Sequence, residues 1–114
     1  MRNGAMHSCA RICHECQDEC LSMILPCLEL GGPHAAPGHQ RLLLDCASVC
    51  HMSENFMHRE SEYASSICRA CAQICRACAE SCERLAHGTD DDRHRRCATI
   101  CRRCAESCEL MNGA

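Results

Sequence analysis

Five cysteines stand at positions 68, 71, 75, 78 and 82 of the stretch CRACAQICRACAESCE, and neither glycine nor proline interrupts them. Their alternating spacing of three and four is the a/d spacing of a heptad. At about 100° per residue it places the five side chains within an arc of roughly 80° on one helix face. A chain built this way has to bury a column of thiols, and we call the a/d positions of its helices the seam.

The same unit, C-A-x-(I/V)-C-x2-C-x3-C, occurs four times along the chain. Its copies begin at Cys9, Cys46, Cys71 and Cys97. The second copy keeps its first two cysteines and carries Ser53 and Met57 at the other two positions. A fourfold repeat of one helical unit predicts four similar helices that bury their seams against one another.

Turn residues separate the copies. Glycines and prolines mark a loop at 30–38, and residues 87–92 form a turn in which Thr89 or an aspartate is expected to cap the next helix. Ser61 is a further candidate cap, and Pro26 is expected to kink the end of the first helix. The predicted helices span about 5–29, 39–59, 62–87 and 91–111. Short connections between them predict an all-α, antiparallel up-down-up-down four-helix bundle with a cysteine-lined core, forming a single domain over residues 1–114.

Charge and hydropathy restrict the kinds of partner and the cellular compartment that we expect for this chain. The chain has 12 basic and 15 acidic residues, which argues against nucleic acid as a partner. It contains neither a signal-peptide core nor an apolar stretch of membrane-spanning length, so we expect a cytoplasmic protein without a membrane partner. Cytosolic thiols are kept reduced, so cysteines at this density are expected to bind metal.

Packing alone does not explain a whole seam of cysteine, because alanine, leucine or valine would fill it without the hazard of oxidation. A regular a/d column also meets the geometry of disulfides only in places. Zinc and iron–sulfur sites rely on turns and loops that wrap the metal, whereas Cu(I) accepts two or three soft ligands from a linear array. We therefore predict a core that binds multiple Cu(I) ions. The candidate thiolate ligands are Cys9, Cys13, Cys16, Cys20, Cys27, Cys46, Cys50, Cys68, Cys71, Cys75, Cys78, Cys82, Cys97, Cys101, Cys104 and Cys108.

The antiparallel topology brings three methionines to one end of the seam. These are Met6, Met57 and Met111, and we call this the methionine end. Thioethers bind Cu(I) without losing a proton, so these residues, with His58 and His7 nearby, are candidates for receiving copper. The alternative is that the methionines only plug the core.

The opposite end of the seam holds Cys27, Leu43, Leu85 and His94, with further histidines around it at 34, 39 and 87. Histidines near helix ends are more often surface residues than ligands. We expect surface positions for them and consider only His94 as a ligand.

The sequence resembles the bacterial cytosolic copper storage proteins, which are four-helix bundles with cysteine-lined cores that hold many Cu(I) ions. The resemblance rests on four cysteine-lined helices, on the repeated C-x2-C-A-x2-C-x2-C-A-x-x-C text of the last two, and on the Asn55-Phe56 to Glu62 passage. It implies a cytosolic homotetramer that sequesters copper without catalysis. A copper chaperone is a candidate partner. Exported relatives carry a leader. Ser53 and Met57 depart from the family pattern, which affects the expected number of coppers near that helix.

Two other classes of function are weighed against copper storage. A redox enzyme or thiol sensor would need one exposed, acidified cysteine, unlike a set of near-equivalent core positions. A zinc buffer of metallothionein type fits the thiolates better and stays open. A metallothionein-like chain is expected to be disordered without metal, whereas this sequence predicts a helical apo-protein.

Overall fold

The computed structural model describes residues 4–87 and 91–112 and is helical over most of that length. The helices are α1 (Gly4–Ser22), α2 (Ile24–Leu30), α3 (Pro37–His58), α4 (Ala64–Ala86) and α5 (Arg93–Asn112). A short 3-10 turn, Gly32–Ala35, lies between α2 and α3. The cysteine units of the sequence therefore fall on four helical segments, as predicted, and the first of these is divided.

Pro26 explains the division between α1 and α2. Proline lacks an N–H and its ring clashes with the carbonyl four residues earlier, which here belongs to Ser22, the last residue of α1. At the break the Met23 N–H donates to the carbonyl of Cys20 at 3.2 Å, a tighter i to i−3 bond. The expected kink is therefore a local interruption at Met23, three residues before the proline, where the backbone keeps near-helical angles (φ −86°, ψ −16°). The seam nevertheless continues across it, since Met23 and Cys27 are both buried.

Side chains near the predicted caps satisfy backbone groups at two helix starts. The Asp91 carboxylate accepts the backbone N–H of Arg93 at 2.9 Å, where α5 begins. The Ser61 hydroxyl accepts the N–H of Tyr63 at 3.0 Å, but α4 begins at Ala64, two residues later than predicted. The other proposed cap, Thr89, lies outside the described residues.

The four segments form the predicted antiparallel bundle. Sequential helices pack side by side, and α1 also packs against α5, which closes the ring. The molecule measures 48 × 20 × 18 Å. Small side chains at the contacts let the helices approach closely. The buried alanines include Ala10, Ala47, Ala72, Ala79, Ala98 and Ala105. None of the described helices is both long and apolar enough to cross a bilayer.

Ion pairs connect the helices on the outer surface. Arginines of α5 reach glutamates of α1 and α4 in the pairs Arg96–Glu19, Arg103–Glu15 and Arg102–Glu83, and Arg76 of α4 pairs with Glu109 of α5. Exposed pairs of this kind each contribute about 0–1 kcal/mol. The stability of the bundle therefore depends mainly on its sulfur-rich interior.

Candidate metal centre

All sixteen cysteines point into the bundle. Each is at most 1% exposed, and each has a free thiol. Sulfur atoms from different helices approach to between 3.5 and 3.8 Å, well beyond the length of a disulfide bond, about 2.05 Å. The interior is therefore a continuous column of unlinked thiols, as the seam predicted.

The thiols fall into overlapping groups whose sulfur atoms lie within 4.8 Å of one another. Starting from the methionine end, the groups are Cys9–Cys68–Cys108, Cys13–Cys71–Cys104–Cys108, Cys16–Cys50–Cys75–Cys104 and Cys16–Cys20–Cys46–Cys101. Consecutive groups share a member, namely Cys108, Cys104 or Cys16. Shared members allow one thiolate to bridge two metal ions.

The spacing of the sulfurs already suits a bound metal. Cys50 Sγ lies 3.8 Å from Cys71 Sγ, 3.7 Å from Cys75 Sγ and 3.8 Å from Cys104 Sγ. Two sulfurs bonded at about 2.3 Å to one tetrahedral ion are about 3.8 Å apart. Metal can therefore enter between these side chains without a large movement of the helices.

Three further cysteines continue the column away from the methionine end. The Cys82 thiol interacts with those of Cys78 and Cys97, and Cys97 interacts in turn with Cys101 of the last overlapping group. Sulfur thus lines the bundle along most of its length.

At the methionine end, the thioethers face the core and the imidazoles do not. Met57 is fully buried, with its Sδ 3.7 Å from Cys68 Sγ, and Met111 is nearly buried. Met6 is partly buried and packs against the same core. His58 is exposed, and its Nε2 lies 3.3 Å from a Glu54 carboxylate oxygen. The structure therefore places Met57 beside Cys68, packs Met6 and Met111 with the same core, and places His58 on the outer surface.

A second arrangement occupies the opposite end. Cys27 Sγ lies 3.3 Å from His94 Nε2 and 3.5 Å from His39 Nε2. The other nitrogen of His39, Nδ1, is 2.7 Å from the Ser81 hydroxyl. His39 is 5% exposed, so the expectation that it lies at the surface is wrong, and His94, which was considered as a ligand on the seam, is 0% exposed. We call Cys27, His39 and His94 the histidine end.

Burial changes the proton affinities at the histidine end. Removal from water disfavours the charged forms, so it raises the pKa of Cys27 to about 11 and lowers the pKa of His39 to about 4. The pKa of His94 is lowered for the same reason. Without metal, the thiol and both imidazoles are therefore neutral near pH 7. A metal ion that binds Cys27 has to displace its proton.

The heptad register contained the signal for these histidines. The a/d spacing of α3 runs through 39, 43, 46, 50, 53 and 57, and that of α5 through 94, 97, 101, 104 and 108. Both histidines therefore stand on the seam. The prediction considered His94 there but treated His39 as part of the surrounding surface.

Comparison with known proteins identifies the family. The sequence model of one family, described as copper storage protein, matches residues 2–113. The chain belongs to the copper storage protein family. A structural-genomics target from Nitrosospira multiformis shares 39% identity at a TM-score of 0.85, over 96% of this chain and 95% of that one. A Cu(I)-bound copper storage protein, BsCsp3, shares 32% identity at a TM-score of 0.84, over 95% of this chain and 98% of its own.

Two further relatives extend the comparison. A cytosolic copper storage protein from Streptomyces lividans, solved with five coppers, is 28% identical at a TM-score of 0.81, over 96% of this chain and 93% of that one. The uncharacterized cysteine-rich protein YhjQ of Bacillus subtilis is 34% identical over 65 residues. This last match spans 57% of the chain and 60% of the length of YhjQ. The predicted resemblance to the family is confirmed.

Proposed function

We propose that this copper storage family member sequesters many Cu(I) ions through the thiolates of its bundle core. The observation that carries the proposal is the column of buried thiols, whose overlapping groups share ligands. Cu(I) is soft and needs only two or three thiolates, so neighbouring ions can share bridging sulfurs along such a column. If each copper takes two thiolates and each thiolate bridges two coppers, the capacity is about one ion per cysteine.

The proposed ligands are all sixteen cysteines, with Met6, Met57 and Met111 as an entry site. The close approach of Met57 Sδ to Cys68 Sγ supports a handover from thioether to thiol. His58 is kept as an outer contributor to that entry, where it would meet copper before the thioethers do.

Zinc buffering is the alternative function, and the overlap of the thiol groups argues against it. A Zn(II) site usually has four ligands that it does not share with another ion. The group of four thiols that contains Cys50 and the group that contains Cys71 have Cys104 in common. Those two groups cannot both be independent zinc sites. With sixteen thiols, exclusive four-coordinate binding limits zinc to about four ions.

A paired titration of the fully reduced apo-protein tests the proposal. We expect Cu(I) uptake far above about four ions per chain, and zinc saturation near about four. Metal analysis after gel filtration gives both numbers. Copper uptake that stops at the zinc value would refute storage. A far-UV spectrum of the apo-protein without helical signal would refute the preformed bundle.

We further propose that the protein acts in the cytoplasm as a homotetramer, without a catalytic step, and that a copper chaperone is its donor or acceptor. The relative from Streptomyces lividans is described as cytosolic, which supports the compartment. Exposed apolar side chains support self-association. Leu21, Leu25, Leu28, Leu30 and Leu44 are each 46–69% exposed.

Light scattering of the apo-protein tests the assembly. Leu21 and Leu44 line one groove between α1 and α3, so Leu21→Gln with Leu44→Gln is expected to lower the mean mass of the species in solution. Leu110→Gln, at a 75% exposed position outside that groove, is the matched control. A wild-type protein that remains a monomer at all concentrations would contradict the tetramer.

A further inference from the structure

A buried methionine in the middle of the chain's first segment lies outside the predicted ligand set. Met23 is 1% exposed and stands three residues after Cys20 and four before Cys27, which is the seam spacing. With Met6 at the start, every seam position of α1 and α2 from 6 to 27 carries a sulfur-bearing residue. The first segment therefore places an uninterrupted row of soft donor atoms along the core.

Contacts on either side of this methionine show which residues share its level in the bundle. Cys20 Sγ lies 3.8 Å from Cys101 Sγ of α5. Cys27 Sγ lies 3.3 Å from His94 Nε2 of the same helix. The seam position of α5 between these two is Cys97. Because α1 and α5 run antiparallel, the methionine between the first pair and the second is level with Cys97.

Two thiols at this level lack a third ligand from the cysteines and histidines. The Cys82 thiol of α4 interacts with that of Cys97. Neither belongs to any compact group of three or more thiol, imidazole or carboxylate ligands among the residues that the structure describes. The fourth helix, α3, has Leu43 between seam positions 39 and 46, and this fully buried side chain has no donor atom. Met23 is therefore the remaining seam residue that can bring a third sulfur to the pair.

The choice of methionine over leucine at this position points to the sulfur atom. The two side chains have similar volumes, and leucine occupies the neighbouring seam positions 43 and 85. A thioether adds a soft, neutral donor to that volume. Cu(I) accepts thioethers as ligands, whereas zinc sites are built from thiolates, imidazoles and carboxylates. Packing explains a large apolar side chain at position 23 but not its sulfur.

We infer that Met23 is a thioether ligand of one stored Cu(I) ion, which it holds together with the thiolates of Cys82 and Cys97. The inference rests on the proposed copper storage function. Three soft ligands complete the coordination of Cu(I), and the thioether joins without a proton to displace. Met23 thereby continues the sulfur column as far as the histidine end and favours Cu(I) over Zn(II) at this level.

NMR of the methionine methyl groups tests the inference in the wild-type protein. The chain is labelled with 13C-methyl methionine, reduced, and recorded before and after loading with Cu(I). We expect the Met23 methyl signal to shift on loading, because its sulfur gains a bond to copper. Met52, which is 46% exposed on α3, is the matched control and should keep its signal. An unchanged Met23 signal in the fully loaded protein would refute the inference.

X-ray absorption at the selenium edge separates a bond to copper from a change of surroundings. Protein with selenomethionine is made in a background in which Met6, Met57 and Met111 are replaced with leucine, and is then loaded with Cu(I). We expect a copper neighbour at bonding distance from selenium. Adding Met23→Leu should remove this neighbour, and adding Met52→Leu should keep it. A copper neighbour that survives Met23→Leu would overturn the inference.

Competition with a Cu(I) chelator provides the third measurement. Met23→Leu conserves the volume of the side chain but leaves the ion at this level with two ligands. We expect the loaded variant to lose about one Cu(I) per chain at a chelator concentration that removes none from Met52→Leu. Equal retention of copper by the two variants would contradict a ligand role for Met23.

The two proposals fail in different ways. A wild-type chain that takes up no more Cu(I) than about four ions refutes storage itself. A chain that stores many coppers but shows an unchanged Met23 methyl signal refutes only the thioether ligand.

Discussion

Ser53 allows a direct test of what a buried hydroxyl costs in stability within the sulfur-lined core. It stands at a seam position of α3 between Cys50 and Met57, is 0% exposed, and its hydroxyl lacks a hydrogen-bond partner among the described residues. A buried polar group without a partner costs about 1–3 kcal/mol. Removing the hydroxyl with Ser53→Ala leaves a void of roughly 10–15 Å³, which costs only about 0.3 kcal/mol at 24 cal/mol per Å³. The apo-protein should therefore gain stability.

Ser48→Ala is the matched control, because Ser48 is exposed on the same helix and shares the gain in helix propensity, about 0.5 kcal/mol. We expect Ser53→Ala to exceed Ser48→Ala by about 1–2 kcal/mol, or roughly 4–8 °C in Tm for a chain of this size. The assay is urea denaturation of the reduced apo-protein, followed by far-UV circular dichroism. Equal gains in the two variants would refute the cost assigned to the buried hydroxyl.

Ser53→Cys tests the same position for function. It restores the cysteine that the repeat lacks, and the seam register directs the new sulfur toward the column. We expect the Cu(I) capacity to rise by about one ion, since each added thiolate can bridge two coppers. A capacity equal to that of wild type, in a folded variant, would show that this part of α3 does not face the stored metal.

Three further predictions concern the two ends and one turn. Replacing Met6, Met57 and Met111 with leucine is expected to slow Cu(I) loading in stopped-flow absorbance while leaving the final capacity nearly unchanged, and unaltered rates would leave these residues only a packing role. Burial lowers the pKa of His39 from 6.5 to about 4, so the contribution of neutral His39 to apo-protein stability is complete above pH 6.5. This contribution falls by up to about 3 kcal/mol as the pH drops toward 4. Stability curves against pH that run parallel for wild type and His39→Gln would contradict this. Gly31 has φ 71° and ψ −168°, a backbone conformation nearly restricted to glycine. Gly31→Ala is therefore expected to destabilise the apo-protein by about 1–3 kcal/mol in the same urea assay. An unchanged stability would show that the turn relaxes to accept alanine.

Much of the fold follows from spacing that is visible in the sequence. The heptad of cysteines predicts helices, their common face and an antiparallel bundle, because only a buried seam explains thiols at so many a/d positions. Helix ends are less predictable. Pro26 indicates that the helix is disturbed but not at which residue. The structure places the disturbance at Met23, and Met23 and Cys27 both stay buried in the core.

The sequence predicts the type of ligand in the site. It predicts less well which residues come together at the two ends of the column. Sixteen thiols on one register identify soft-metal chemistry, but the register does not reveal which sulfurs meet across helices. The burial of His39 depends on Ser81 of α4, a residue 42 positions away, which supplies its hydrogen bond. The register of α3 places His39 on the seam, but a hydrogen-bond partner so distant in sequence cannot be read from that register.

The sharing of Cys16, Cys104 and Cys108 between neighbouring groups has a consequence for how the column fills. Sites with common ligands behave like a one-dimensional lattice with nearest-neighbour coupling, in which each occupied position alters the proton and metal affinity of the next. A bridging thiolate that one ion has already deprotonated offers the adjacent ion a ligand without a second proton to displace. Partial loading should then produce runs of occupied positions separated by empty runs, instead of ions scattered at random along the molecule.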